Sequence, residues 1–277
     1  MYKEASREIL TLIEKSPSPF HAVRTLAELF LHAGYEELAE CDAWALKKGG
    51  KYFTTRNGSS IIAFAIGGEL ADYHFQLTSS HSDSPTFRVK EAAELKGKGG
   101  YLKLNTEGYG GMICSTWLDR PLSLAGRVLV KTAEGIENRL VAFDRDLVLI
   151  PSLAIHMNRS VNEGVAFNNQ VDMLPLFSAG ACGEGSFREL VAGELGVNAG
   201  DILGCDLGLY SRTAPSVWGA KEEFISSARL DDLQCAFTSA KAMIAAENAP
   251  GVNVCACFGN EEVGSGTKQG ACPPVLR

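Results

Sequence analysis

The stretch from about Glu91 to Gly219 constrains the fold most, because its pattern differs from the residues on both sides. Glycine-rich turns (GKGG, EGYGG, SAGACGEG) separate short runs such as RVLVKT and LVLIP. Short β-branched runs bounded by turn residues imply strands. One segment, FRELVAGEL, reads as a helix, with Ser186 and Glu189 spaced as a capping box. The flanks alternate helix and strand instead. Residues 5 to 15 place Ile9, Leu12 and Ile13 on one helical face. In SPSPFHAVRTLAELFLHAG, Ser18 fits an N-cap, Pro19 the first helical position and Gly34 the stop. Residues 60–68 and 73–80 are strand-like. After Glu222, RLDDLQCAFTSAKAMIAAEN predicts a helix with Leu233, Phe237 and Ala240 inward, and GVNVCACFGN a fully buried strand. The simplest organisation is therefore an α/β domain, residues 1–90 and 225–277, interrupted by a β-rich insertion at 91–224.

Composition narrows the partners. At 277 residues the chain has room for about two domains. A net charge of −7 argues against nucleic acid and anionic membranes, which need a basic face. The start, MYKEASREIL, has no long apolar run, so neither signal peptide nor membrane anchor is expected. Eight cysteines show no CxxC pair and no framework spacing, which suggests buried, reduced thiols in the cytoplasm. Cys255 and Cys257 are expected on one strand face as small apolar fillers.

Three places could carry chemistry. SSHSDSP puts His81 and Asp83 where a buried strand gives way to a loop, the position at which open α/β sheets bind ligands. A neutral imidazole there can bind zinc while a carboxylate orients its other nitrogen; equally, His81 could be a surface histidine and Asp83 a turn-former. Asp231, in SARLDDL, opens a helix, where capping is the simpler role; Asp231 and Asp232 could also divide the work, one facing a metal and one capping. Glu261 and Glu262 follow the buried strand. In an extended segment successive side chains point to opposite sides, so one could bind metal while the other faces substrate as general base; the alternative is a charged loop tip. Gly264-Ser265-Gly266 matches neither GxxxxGK[ST] nor GxGxxG. Histidine and carboxylates without a cysteine pattern point to a hydrolytic rather than a structural site.

SPSPFHAV, SSHSDSPTFRVK, YGGMICSTWLDRPLSLAGRV, IPSLAIHMNR, ARLDDL and NEEVGSGTKQGA together resemble the aspartyl aminopeptidase family of dinuclear zinc aminopeptidases, in order from about residue 16 to 271. The resemblance implies a zinc-peptidase-like catalytic domain with mixed sheet and flanking helices, interrupted by a β-rich dimerisation domain. It implies removal of N-terminal residues from peptides, Asp and Glu preferred, by a metal-activated water. His81 would bind one metal, Asp231 would bridge two, Glu262 would complete the first site, Glu261 would be the general base, and Asp83 would hold the His81 ring. His156 would be lent to a neighbouring subunit's active site, or serve as a metal ligand. Two Zn2+ per subunit are implied, with Co2+ or Mn2+ as substitutes. A homo-oligomer through the inserted domain is implied as well.

The sequence departs from the family after QGA, where members continue and supply another carboxylate and a C-terminal histidine for the second metal. His21, His32 and His74 offer no evident substitute, so an incomplete second site and an exposed apolar face are expected. An inactive fragment or assembly partner of a full-length aminopeptidase is the alternative reading.

Overall fold

The computed structural model describes residues 2–68, 74–247 and 250–272. The chain opens with helices α1 (Tyr2–Glu14) and α2 (Pro19–His32) and strands β1 (Glu36–Glu37), β2 (Lys51–Arg56), β3 (Ser60–Ile66) and β4 (Phe75–His81). There follow β5 (Thr86–Lys96), β6 (Tyr101–Tyr109), β7 (Leu122–Thr132), β8 (Gly135–Ala142), β9 (Leu176–Ala179), α3 (Ser186–Leu195) and β10 (Ile202–Ser211). A short hairpin of β11 (Ser216–Trp218) and β12 (Phe224–Ser226) leads to α4 (Leu230–Ala245) and β13 (Val252–Phe258). Tyr73, Asn248 and the stretch 273–277, which the sequence reading assigned to a strand, a helix and the chain's end, lie outside the described residues.

Two compact units result: Met1–Ser84 with Ala214–Arg277, and Pro85–Thr213. The sequence boundaries at 90/91 and 224/225 fall inside β5 and β12, whereas contacts divide the chain just ahead of β5 and β11. The mixed α/β character expected from the flanks is present in the first unit. Its sheet runs β1-β2-β3-β13-β4 among the described residues, with β13 antiparallel to β3 and parallel to β4.

The helices form where the sequence gives them both a cap and a stripe. At α2, the Ser18 hydroxyl accepts the His21 N–H, Pro19 occupies the first turn, and Gly34, at φ 81°, follows the last turn in the left-handed region. Ile9, Leu12 and Ile13 of α1, Val23, Leu26 and Phe30 of α2, and Leu233, Phe237 and Ala240 of α4 are buried in one core. Phe53, Ile61, Ala63, Cys255 and Cys257 meet them from the sheet. Burial of this kind contributes about 25 cal/mol per Å² of apolar surface and holds the ends of β4 and β13 in place. The cysteine expectation needs correction. Cys255 and Cys257 are buried fillers, but Cys41, Cys182, Cys235 and Cys272 are exposed, because they sit on loops and on an outward helix position.

At the sheet's edge, β4 exposes Phe75 and Leu77, at 66% and 49%.

The second unit is a six-stranded antiparallel sheet in the order β8-β7-β10-β5-β6-β9. Phe87, Leu104, Leu122, Leu124, Phe143 and Ile150 make its core, with Phe187 and Val191 of α3. The capping box expected at Ser186 does not form. Gly185 is the N-cap, and the Glu94 carboxylate accepts the N–H groups of Gly185 at 2.7 Å and Phe187 at 2.6 Å. A carboxylate brought from β5 answers the helix's free donors and its dipole better than the adjacent hydroxyl. Between Ile150 and β9 the chain has no strand and only one turn of 3-10 helix, Val161–Glu163; His156 lies in this segment, in an exposed turn.

Candidate metal centre

Register decides where the chemistry collects. β4 and β13 run parallel as neighbours, and Phe258 pairs with His81 at their carboxyl ends. The chain leaving β13 therefore emerges beside the His81 ring. Gly259 makes that exit possible, because a Cβ there would stand 2.8 Å from the Ser59 carbonyl oxygen. Its N–H donates to the Gln269 carbonyl at 3.1 Å and to Ser60 Oγ at 2.9 Å. Asn260 then turns at φ 61°, braced by the Gln269 amide 2.8 Å from its Oδ1. Asn is among the residues that tolerate this left-handed conformation.

The turn that follows, Glu261–Val263, is 3-10 rather than extended. This overturns the expectation that the two glutamates point to opposite sides, since a helical turn does not alternate as a strand does. His81 with both Glu261 and Glu262 offers three ligand atoms within 4.8 Å of one another. Glu261 Oε2 is 3.7 Å from His81 Nε2.

Asp83, 1% exposed, lies beneath this group. Its carboxylate accepts the backbone N–H of Glu261 and of Glu262, each at 3.2 Å. His81 Nδ1 is 2.9 Å from the Asp83 carbonyl oxygen and 3.6 Å from its carboxylate, which turns Nε2 outward. Outward of that nitrogen stand Asp231 Oδ1 at 3.4 Å and Asp232 Oδ2 at 3.9 Å. Both aspartates belong to the start of α4, and the peptide bond joining them is cis. Neither caps the helix: Arg229 takes the N-cap position without a side-chain bond, and residues 231 and 232 have non-helical backbone angles. Asp231 projects with its side chain 89% exposed, and Ser84 Oγ donates to its carbonyl at 3.0 Å.

Charge crowding follows from this packing. Burial acts to lower the His81 pKa, but hydrogen bonding to Asp83 and the charges of Asp232 and Asp83 outweigh it and lift the ring to about 9. The Glu262 carboxyl is raised, first by burial; the His81 charge opposes this, while Asp83, Glu261 and Asp231 add to it. Several carboxylates around one imidazole repel each other and are relieved by a cation. The donors, an imidazole nitrogen with carboxylate oxygens, suit zinc and leave the chemistry of an open site available. The residues therefore fit a divalent metal.

Of the residues singled out in the sequence, His81, Asp83, Asp231, Glu261 and Glu262 come together. Asp231 reaches His81 without joining the three-atom group. His156 belongs to the other unit. Sequence reasoning missed the bonds from the glutamate backbone to Asp83 and the Ser60–Gln269 brace, for which no local spacing exists. The family model for the aminopeptidase I zinc metalloproteases (M18) matches residues 12–276. The chain belongs to this family. It is 43% identical over 280 residues to the probable M18 family aminopeptidase 2 of Clostridium novyi, covering 98% of this chain and 64% of that one. The Clostridium acetobutylicum protein of the same name is 44% identical, with 97% and 63% covered. The M18 chain thus spans under two thirds of the length of these relatives. Among solved structures, Chaetomium thermophilum mApe1 superposes with TM-score 0.91 at 32% identity, over 100% of this chain and 66% of that one. A chain in the Ape4–Nbr1 complex gives 0.92 at 35%, over 97% and 56%. Among the described residues, no helix of this M18 protein is long and apolar enough to cross a membrane.

Proposed function

We propose that this chain carries the metal-binding side of a zinc aminopeptidase centre that hydrolyses N-terminal residues from peptides. The observation that supports it is the convergence of His81, Glu261 and Glu262 within 4.8 Å at the ends of β4 and β13, with Asp231 against the same imidazole. In this reading His81, Asp231 and Glu262 are the metal ligands. When bound, zinc would supply Lewis acidity and lower the pKa of a coordinated water. Asp83 fixes the tautomer of His81 by occupying its Nδ1 side, so that Nε2 is the ligating nitrogen. Glu261, with its side chain 54% exposed, is the carboxylate free to take a proton from water and return it to the leaving amine.

Further parts of the reading rest on the family resemblance. These are two metal ions per subunit with Co2+ or Mn2+ as substitutes, preference for an N-terminal Asp or Glu, and a cytoplasmic location. A homo-oligomer built through the inserted domain, 91–224, belongs with them; one solved relative, S. cerevisiae mApe1, is a dodecamer, at TM-score 0.85 and 26% identity. Within an oligomer, His156 would serve a neighbour's centre, stabilising the tetrahedral intermediate; an exposed turn suits that role. Arg229 is a poor candidate for reading the acidic side chain, because its guanidinium donates to the Ile13 carbonyl at 3.1 Å.

The test is release of p-nitroaniline from an aspartyl substrate. It should need zinc or cobalt and fall at least about 100-fold in Glu261→Gln, the lower end of the range for a lost general base. Release that is metal-independent, or unaffected by that substitution, would overturn the reading.

A further inference from the structure

Asp232 faces the same cluster as Asp231 but is engaged differently. Its side chain is only 14% exposed, and its Oδ2 accepts the backbone N–H of His81 at 2.9 Å. β4 lies at the sheet's edge, paired only with β13 among the described residues, so a backbone N–H pointing away from β13 has no ladder partner there. The Asp232 carboxylate answers that donor with a charge-assisted bond, the stronger kind. One side chain therefore joins the start of α4 to the end of β4 across 151 positions of sequence. These are the two elements that present Asp231 and His81, whose Oδ1 and Nε2 stand 3.4 Å apart. α4 has no side-chain cap of its own, and residues 231 and 232 depart from helical geometry, so its first turn is located by such outside bonds.

We propose that Asp232 is a positioning residue of the metal centre: by accepting the His81 N–H it sets the separation of the His81 imidazole from the Asp231 carboxylate, and it is not itself a metal ligand. The proposal rests on the reading of His81 and Asp231 as ligands. It requires a hydrogen-bond acceptor at residue 232, whereas a ligand role would require the anion.

Two substitutions separate these requirements. Asp232→Asn keeps an acceptor oxygen and removes the charge; Asp232→Ala removes both. Cobalt binding, followed by the visible d–d absorption, and exchange of the His81 amide hydrogen are measured on the whole chain. Asp232→Ala should bind Co2+ about 10–100-fold more weakly, the usual effect of losing an outer partner of a ligand. Its d–d spectrum should change and its His81 amide should exchange faster. Asp232→Asn should restore affinity, spectrum and protection to within a few-fold of wild type. An Asn variant as weak as the Ala variant, or an Ala variant with unchanged affinity, would overturn the proposal. If the Ala variant does not fold, the Asn variant compared with His81→Ala decides: binding as poor as His81→Ala makes Asp232 a ligand and ends the proposal. Failure of the metal reading looks different, since wild-type Co2+ uptake would then be untouched by His81→Ala, and the proposal would fall with it.

Discussion

The backbone N–H of Glu262 donates to the buried carboxylate of Asp83 at 3.2 Å, and the N–H of Glu261 donates to the other oxygen of the same group. Asp83 thus holds the turn that carries both glutamates as well as the imidazole they face. Its influence reaches the cluster through backbone on one side and through a ring nitrogen on the other. Asp83→Asn leaves one acceptor oxygen and places an amide opposite a donor. The expected cost is about 1–3 kcal/mol, that of an unsatisfied buried group, together with about 10–100-fold in zinc affinity. Thermal melting with a zinc titration checks both; a variant with native affinity would show that the turn is held elsewhere.

Gly259 gives a steric version of the same test. The Cβ of Gly259→Ala would stand 2.8 Å from the Ser59 carbonyl oxygen, a backbone atom that cannot swing aside. The turn must shift, and with it Glu261 and Glu262. Overpacking of this kind costs about 1–3 kcal/mol. A cobalt titration should show weaker binding, and Gly264→Ala serves as a control: its φ of 90° strains an added side chain, but no atom lies within 4 Å of the new Cβ.

What could be read from sequence was whatever is encoded locally. Ser18, Pro19 and Gly34 bound α2 as expected, and the stripe of Leu233, Phe237 and Ala240 turns inward as its period requires. The candidate ligands were visible because each stands at a junction between an apolar run and a polar loop. Three-dimensional accidents of neighbourhood were not visible. Nothing near Ser186 announces that Glu94, 91 positions before Gly185, will satisfy the donors of α3. Nothing near Asn260 reveals that Gln269 and Ser60 brace the chain there, or that the turn after it is 3-10. The opposite-sides argument for the glutamates failed because it assumed that the strand's alternation continues past its last residue.

That Glu94 bond can be measured against the hydroxyl it displaced. Glu94→Ala should destabilise the start of α3 by about 1–2 kcal/mol, the scale of a lost cap, while Ser186→Ala should cost only a few tenths. Hydrogen exchange at Gly185 and Phe187 reports the difference directly. Equal effects from the two variants would restore the local capping box.

His21 sets an acid limit on the first unit. Its ring is buried under the α2 cap, 2.7 Å from Ser18 Oγ, and burial first, then the Arg24 charge, push its pKa down to about 4. In the unfolded chain the ring titrates near 6.5, so at intermediate pH the unfolded state binds the proton and the folded state does not. The stabilising difference is fully present above about 6.5 and is lost as pH falls toward 4, amounting to about 3 kcal/mol. Denaturation followed from pH 7 to pH 4 should show this loss, and His21→Gln should remove that part of the pH dependence.

His81 titrates in the opposite sense, and metal binding reports it. In the metal-free protein its pKa of about 9 lies above the unfolded value. Its contribution to metal-free stability is therefore present below about 6.5 and lost as pH rises through about 9. A ligating imidazole must be neutral, so the ring gives up a proton when metal enters. Below about 9 the apparent affinity for zinc should fall by up to about tenfold per pH unit from this group alone, and binding near pH 7 should release about one proton. Calorimetry in buffers of different ionisation enthalpy measures that proton. His81→Ala should abolish its release along with tight binding; a wild-type protein that binds zinc without releasing a proton would mean that His81 is not the ligating base.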